Sequence, residues 1–148
     1  MRKAVRAIIV KDDKLLLMHR NKFGQEYFIL VGGGIDFGET GEQALRREVM
    51  DESGVTFSNP RLVIVQESGD LYGTQYIYLC DYSSGEPALQ PRSQEAQIHA
   101  MGQNLYTPLW LPVSELQNIP FVAPVIKQSI IDGLKNGFAD QPKVIHGL

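Results

Sequence analysis

Three carboxylates in one short segment are the residues whose types and spacing carry the clearest chemistry. Glu48, Asp51 and Glu52 stand at positions i, i+3 and i+4, which on a helix places them within an arc of roughly 100°. Like charges at this spacing repel one another by about 0.2–0.5 kcal/mol per pair. A divalent cation reverses that repulsion, and carboxylates are ligands that Mg²⁺ and Mn²⁺ prefer. Taken alone, the three acids are also typical of a solvated helix face, so the metal-site interpretation depends on the surrounding sequence.

A run of three glycines, at positions 32–34, comes shortly before these acids. Glycine lets the backbone come close to a metal ion or a phosphate group. Magnesium seldom has a complete protein cage and takes substrate phosphate oxygens as ligands. A glycine run followed by an acidic helix face therefore predicts a site for a metal-bound phosphate ester.

The element that must position the acids is a helix, which the sequence predicts over residues 41–53. Thr40, with Gln43 three positions later, has the pattern of a capping box at the start. Gly54 can take the left-handed conformation that ends a helix, and Val55 can supply the apolar contact that follows it.

Strands and loops are predicted around this helix. Runs rich in β-branched and aromatic residues predict strands at 3–10, 15–20, 27–31, 61–67, 74–81 and 105–111. Turns or loops are expected at 12–14, 21–26, 68–73 and 83–101. The glycine run is expected to end the third strand, since glycine weakens a strand interior, and Pro108 favours an edge strand or a bulge.

The last predicted element is an amphipathic helix at 122–134. Its apolar positions are Val122, Val125, Ile126, Ile130 and Leu134. Strands that enclose one helix and are followed by another predict an α+β fold of the layered kind.

Composition limits the classes of protein. A chain of 148 residues fits one domain, predicted over 1–148. The apolar runs are too short to cross a bilayer, and the first residues lack a signal-peptide pattern, so we expect no membrane partner and a cytoplasmic location. A net charge of −3 without a basic run argues against nucleic acid as a partner. The single cysteine, Cys80, lies in an apolar run and is expected in the core.

Residues 33–55 resemble the Nudix box, Gly-x5-Glu-x7-Arg-Glu-U-x-Glu-Glu-x-Gly-U, where U is a bulky aliphatic residue. The match consists of Gly33, Glu39, Arg47-Glu48-Val49, the acidic pair Asp51-Glu52, and Gly54-Val55. One position departs from the family pattern, because Asp51 stands where glutamate is usual. The resemblance implies a Nudix fold, with a mixed β-sheet sandwiched between helices.

The resemblance also implies an activity. Nudix hydrolases cleave a diphosphate linkage in a nucleoside diphosphate derivative, such as a nucleoside triphosphate, ADP-ribose or a nucleotide-sugar, with Mg²⁺ and in some cases Mn²⁺. By position in the motif, Glu48 and Glu52 resemble metal ligands, with the shorter Asp51 as a third. Gly33 resembles the residue that offers a backbone carbonyl to the metal. Arg47 resembles the arginine that pairs with Glu39 and holds the loop against the helix.

The general base and the substrate contacts remain open in the sequence. The base is either Glu48, within the box, or an acid after the central strands, where Glu95 is the leading candidate and Glu67 the second. Arg6 and Arg20 are expected to meet phosphate. The aromatic residues Phe23, Tyr27 and Phe28 are expected to influence specificity, and Phe28 is the predicted substrate contact among them.

Three alternatives accompany the hydrolase prediction. A Nudix domain that binds a nucleotide without cleaving it is the first, although such domains generally have damaged boxes. An isomerase acting on an allylic diphosphate is the second, and Cys80 in an apolar run is a poor candidate for its chemistry. Removal of an RNA cap lacks support from any basic run. Homodimerisation is left open, because nothing in the sequence decides it.

Overall fold

The structure is a computed structural model that describes residues 2–69 and 73–147. The strands are β1 (Lys3–Lys11), β2 (Lys14–Lys22), β3 (Gln25–Ile29), β4 (Val31–Gly34), β5 (Thr56–Glu67), β6 (Thr74–Ser84), β7 (Asn104–Pro112) and β8 (Lys143–His146). The α-helices that lie wholly within the described residues are α1 (Gly41–Ser53), α2 (Gln94–Ala100) and α3 (Pro124–Asn136), and a 3₁₀ helix spans Val113–Asn118.

The strands form one mixed sheet in the described part of the chain. Its order is β3-β2-β1-β6-β5-β8, with β4 also paired to β1 and β7 also paired to β2. The pairs β1–β6 and β5–β8 are parallel, and the other pairs are antiparallel. The predicted mixed sheet is confirmed.

The sheet opens between β1 and β2, and this opening creates the site. Asp12 and Asp13 form the predicted hairpin turn with φ of 51° and 60°, but the two strands pair only at Val10–Leu15 and Lys11–Lys14. Beyond those pairs β1 joins β4, whereas β2 joins β3 and β7. Arg6 on β1 and Arg20 on β2 therefore flank an opening.

Helices cover both faces of the sheet. On one face Ala44, Leu45 and Val49 of α1 pack with buried residues of β1 and β2. On the other face Ile126 and Ile130 of α3 pack with residues that include Ile8, Leu17 and Ile77. Full burial of a side chain such as Leu45 or Ile130 contributes about 1.5–3 kcal/mol. The predicted α+β layers, with the sheet between helices, are confirmed.

The prediction that the glycine run ends a strand is wrong. Gly32 to Gly34 lie within β4 and pair with β1 from Arg6 back to Ala4. The absence of side chains allows this packing, because a Cβ on Gly32 would lie 2.0 Å from the Val5 carbonyl oxygen. The predicted strand at 27–31 is accordingly two strands, β3 and β4, which meet around the buried Leu30.

Two predicted loops are also corrected. The loop at 21–26 is a tight hairpin, in which Phe23 and Gly24 have φ of 52° and 90° between β2 and β3. The loop at 83–101 contains the end of β6 and the seven-residue helix α2. The hairpin turn and α2 are both short, so neither contains enough residues to show a recognisable apolar repeat in the sequence.

The remaining differences concern the bounds of elements. β5 begins at Thr56 rather than at residue 61, and β8 was not predicted. The C-terminal helix begins at Pro124, so Val122 and Val125 are 53% and 48% exposed instead of lying in the core. Pro108 lies in β7, which pairs with β2 alone among the described strands, as expected for an edge strand.

The predicted turn at 68–73 includes residues 70–72, which lie outside the described residues. In the two described ranges, no helix has both the length and the apolar character needed to cross a membrane.

Candidate metal centre and active site

The helix that carries the acids has well-defined ends. The Thr40 hydroxyl accepts a hydrogen bond from the Gln43 backbone N–H at 3.1 Å, and the Gln43 side chain accepts one from Thr40 N–H at 2.9 Å. At the other end Gly54 has φ of 70°, and its N–H donates to the Met50 carbonyl at 2.8 Å. Both predicted caps are present. They fix the register in which Glu48 and Glu52 lie one turn apart on the same face.

The glycine strand lies directly against these two carboxylates. A Cβ on Gly33 would lie 2.4 Å from Glu48 Oε2, so a side chain there would displace the carboxylate. The Gly32 backbone N–H donates to Glu52 Oε1 at 2.8 Å. Three glycines weaken a strand, but here they let its backbone lie directly against the carboxylates of Glu48 and Glu52.

Glu95 completes an acidic trio with Glu48 and Glu52. One carboxylate oxygen from each residue lies within 4.8 Å of the others; Glu52 is buried, and the other two are half-buried. Burial, together with the smaller effect of the neighbouring Glu95 charge, raises the pKa of Glu48 above its usual range and that of Glu52 to about 8. Three converging hard oxygen donors that disfavour one another's charge fit a divalent cation.

Asp51 does not belong to this trio. Its carboxylate is outside the group of converging oxygens in the described residues, and its backbone carbonyl accepts a hydrogen bond from Gln90 N–H at 3.1 Å. The predicted third acid of the helix face is thus separated from the other two, and Glu95 takes its place in the geometry.

Glu95 lies in the first turn of α2 rather than on a loop. Ser93 caps this helix by accepting a hydrogen bond from the Ala96 N–H at 3.0 Å. A serine followed by an acid in the first turn is a recognisable helix start. That signal in the sequence indicated α2, although seven residues gave too little periodicity to identify it.

Arg47 holds the loop before α1 against the helix. Its guanidinium donates to both Glu39 oxygens at 2.8 Å, to Glu48 Oε1 at 2.7 Å and to the Gly34 carbonyl at 3.1 Å. The bond from Arg47 lowers the pKa of Glu39 to about 2. The hydrogen bonds to Glu39 and Glu48 raise the pKa of Arg47, and burial opposes this change only in part. The predicted Arg47–Glu39 pair is present.

The acidic trio lines a cavity of about 360 Å³. The glycine strand forms one wall, and Asp36, Gln94 and Tyr106 contribute to the rim. Three arginines, Arg2, Arg6 and Arg20, also line it. The cavity therefore combines acids that fit a cation with cations that fit phosphate oxygens.

A second cavity, of about 260 Å³, adjoins the first. Its walls are largely apolar and aromatic, and include Tyr27, Ile77 and Phe121, with the amides of Gln66 and Gln75 among them. Three residues, Arg6, Arg20 and Ile29, line both cavities. The two cavities thus form one site with an acidic end and an apolar end, which these names denote below.

The two arginines at the border are held in place. Arg6 donates to the Gln75 side chain and to the Leu30 carbonyl, each at 3.1 Å. Burial lowers the pKa of Arg6, while the Glu52 charge opposes that change. Arg20 donates to the Leu105 carbonyl at 3.1 Å and to Asn104 Oδ1, and its guanidinium lies 3.6 Å from the Tyr106 ring centroid.

The predicted substrate contact Phe28 lies away from both cavities. Residues alternate across a strand, so Tyr27 and Ile29 line the apolar end while the Phe28 ring lies 4.8 Å from His19. Glu67, the second candidate base, forms an ion pair with His146 at 3.3 Å and lines neither of these cavities. Cys80 is buried as expected, and burial raises the pKa of its thiol to about 12.

Comparison with known proteins establishes the family. The model of the NUDIX domain matches residues 1–130, and the chain belongs to the Nudix hydrolase family. An NAD-capped RNA hydrolase, NudC, from Shigella dysenteriae serotype 1 (strain Sd197) is 33% identical over 84 residues, which is 57% of this chain and 33% of that protein. The chain thus matches only about a third of the length of that curated relative.

Solved structures support the fold. A Nudix hydrolase from Nitrosomonas europaea superposes with a TM-score of 0.69 at 21% identity, over 93% of this chain and 90% of that one. An ADP-ribose pyrophosphatase from Streptococcus suis 89-1591 superposes with a TM-score of 0.66 at 18% identity, over 98% of both chains. The predictions of the family and of the fold are confirmed.

Proposed function

We propose that the chain is a metal-dependent pyrophosphohydrolase that cleaves a diphosphate linkage in a nucleotide-type substrate. The observation that carries this proposal is the single site in which an acidic trio adjoins an apolar cleft across Arg6 and Arg20. In the reaction a water oxygen bonds to one phosphorus atom, and the bridging P–O bond breaks. Each of the two products then carries one phosphorus atom of the former diphosphate linkage.

Glu48, Glu52 and Glu95 would hold the metal ion, with Mg²⁺ proposed and Mn²⁺ as a substitute. Bound there, the metal would polarise phosphoryl oxygens and offset the charge that develops on them. Gly33 is proposed to add its backbone carbonyl, because its backbone is next to Glu48. Asp51 is proposed to act only through water, since its carboxylate lies outside the trio.

Arg6 and Arg20 are proposed to position the phosphates. Both line the acidic and the apolar end, so a diphosphate between them would extend from the trio toward the cleft. Guanidinium groups fixed by other hydrogen bonds lose little freedom when they bind phosphate. The apolar end would then take the base, with Tyr27 and Phe121 offering rings and Gln66 and Gln75 offering amides.

Of the two candidate bases, Glu95 is favoured over Glu48. One Glu48 oxygen already accepts a hydrogen bond from Arg47 at 2.7 Å, which makes it a weaker acceptor of a proton from water. Glu95 has no hydrogen-bond donor among the described side chains. It also lies on a different helix from Glu48 and Glu52, which are both on α1.

A substrate panel tests the proposal. Purified protein is incubated with Mg²⁺ or Mn²⁺ and with nucleoside triphosphates, an oxidised nucleoside triphosphate, ADP-ribose, nucleotide-sugars and NAD. Released phosphate is measured after inorganic pyrophosphatase for the triphosphates, and after alkaline phosphatase for the other substrates, which expose phosphate monoesters only when cleaved. Turnover of at least one member that stops with a chelator supports the hydrolase. Tight binding of a nucleotide without turnover of any member would instead support the non-catalytic sensor.

NAD-capped RNA belongs in the same panel because a curated relative is a hydrolase of that substrate. A free diphosphate such as NAD and the capped RNA share the linkage to be cleaved, so a comparison of the two isolates the contribution of the RNA. The net charge of −3 favours the small molecule. A kcat/KM for capped RNA well above that for NAD would overturn the expectation that nucleic acid is not a partner.

A further inference from the structure

Four arginines lie at or beside the acidic end, and three of them are already engaged. Arg6 and Arg20 are bound to neighbouring amides and carbonyls, and Arg47 is bound to Glu39 and Glu48. Contacts within the protein therefore hold each of these three guanidinium groups in place without a bound substrate. The fourth is Arg2, and its situation differs.

The Arg2 guanidinium has no hydrogen-bond or ion-pair partner among residues 2–69 and 73–147. Its backbone is nevertheless fixed, because the Arg2 carbonyl accepts a hydrogen bond from Thr74 N–H at 2.9 Å. The side chain is exposed, the residue lines the acidic cavity, and its charge acts on Arg6. Because the Arg2 backbone is fixed and its guanidinium is unpaired among the described residues, all five guanidinium N–H donors are available to an external anion.

Arg2 also lies at one end of the site only. Arg6 and Arg20 border both cavities, whereas Arg2 lines the acidic end and is absent from the lining of the apolar end. A base in the apolar end and a diphosphate at the two bordering arginines would put the far group of the substrate beside Arg2. A free terminal phosphate there would add negative charge and oxygens for a bidentate contact.

We propose that Arg2 is a specificity-determining residue that binds a free terminal phosphate on the far side of the cleaved linkage. This residue would favour nucleoside triphosphates over substrates whose diphosphate ends in a neutral sugar. The inference rests on the proposed function, since it assumes that a diphosphate lies at the acidic trio.

Binding of uncleavable analogues tests this inference separately from catalysis. The probes are α,β-methylene ATP, which ends in a free phosphate, and α,β-methylene ADP-ribose, which ends in a sugar. Calorimetric titration with Mg²⁺ present compares the wild-type chain, Arg2→Gln, Arg2→Lys and Lys3→Gln. Lys3→Gln is the matched control, because it removes the same charge from an exposed neighbour that does not line the cavity.

We expect Arg2→Gln to weaken binding of the triphosphate analogue about tenfold, the effect of losing one charge-assisted contact at an exposed position. Binding of the ADP-ribose analogue should change by less than about threefold, and Lys3→Gln should change neither by more than that. Arg2→Lys should recover part of the loss, since lysine keeps the charge without the bidentate geometry.

Equal weakening for both analogues would overturn the inference, since Arg2 would then bind the shared diphosphate. An equal effect of Lys3→Gln would also overturn it, because only the overall charge would matter. Absence of any effect of Arg2→Gln would do the same. Failure of the proposed function has a different signature: the wild-type chain would bind the analogues yet cleave no member of the substrate panel.

Discussion

The two ends of the site are built in different ways. The acidic end comes mainly from one stretch of chain, Gly32 to Glu52, in which a glycine strand and α1 lie directly against each other. The apolar end takes its walls from β3, β5, β6 and the start of α3. The residues proposed to bind the metal therefore lie mainly in one stretch of the sequence, whereas those proposed to select the substrate come together only in the folded chain. Four substitutions test that contrast, in order of decreasing expected effect.

The largest effect is expected at the acidic end from Glu52→Gln. Glutamine keeps the hydrogen bond from Gly32 N–H but removes the buried charge that would bind the metal. We expect kcat to fall about 1,000-fold, which corresponds to roughly 4 kcal/mol of transition-state stabilisation. Steady-state kinetics on a substrate from the panel measures this change.

Glu42→Gln is the control for that substitution. Glu42 lies in the first turn of the same helix and is exposed, so kcat should remain within about twofold, as expected for a surface charge. Turnover by Glu52→Gln within tenfold of the wild-type value would contradict the assignment of Glu52 to the metal.

A smaller loss of kcat is expected from Glu95→Gln, because Glu95 joins the trio from α2 and lies outside the continuous stretch from Gly32 to Glu52. A base assists proton removal by roughly 100-fold or more, so we expect kcat to fall about 100-fold. The pH dependence of kcat should change together with its value. A loss confined to metal affinity, restored by excess Mg²⁺, would show that Glu95 acts only as a ligand and that the base is another residue.

At the apolar end, Tyr27→Ala should mainly raise KM. A stacked aromatic ring contributes about 1–3 kcal/mol to binding a base, so KM should rise about tenfold while kcat changes little. Phe28→Ala is the matched comparison, since Phe28 is the next residue along β3 but packs against His19. Phe28→Ala should lower the melting temperature and leave KM unchanged. A KM increase in Phe28→Ala alone would contradict the placement of these two rings.

The smallest effect concerns the loop that Arg47 holds, and its readout is stability against pH. The pKa of Glu39 is lowered to about 2, so its charge stabilises the fold above the unfolded-state pKa of about 4.3 and loses that effect as the pH falls toward 2. The melting-temperature difference between the wild-type chain and Glu39→Gln should be constant above about pH 5 and shrink below pH 4. A difference that is independent of pH would contradict a role for the charge.

The sequence predicted what short-range rules determine. The ends of α1 follow from Thr40, Gln43 and Gly54, all of which are close in the chain to the residues they cap. The Arg47–Glu39 pair follows from a motif with fixed spacing.

The sequence did not predict what depends on contacts between distant segments. Glu95 was the leading candidate base, but it joins Glu48 and Glu52 only because α2 packs beside β7, and the helix-start signal at Ser93 does not reveal that contact. Phe28 and Tyr27 are both aromatic, so only the register of β3 against β2 decides which ring faces the cleft. Gly32 to Gly34 form a strand because β1 and α1 are next to them, against the usual preference of glycine. The single-domain prediction stays a prediction, and homodimerisation stays open.

Residues 120–122 close the outer edge of β3 through backbone alone. The Phe28 N–H donates to the Pro120 carbonyl at 2.7 Å, and the Val122 N–H donates to the Phe28 carbonyl at 3.2 Å. Backbone bonds do not depend on the identity of the side chains that project from them. Evolution, or a protein engineer, can therefore vary Phe121 and Val122 and so alter the proposed binding cleft, while the carboxylates proposed to bind the metal keep their places. Because these two backbone hydrogen bonds hold residues 120–122 against β3, this segment is the place to begin a library of variants with new substrate preferences.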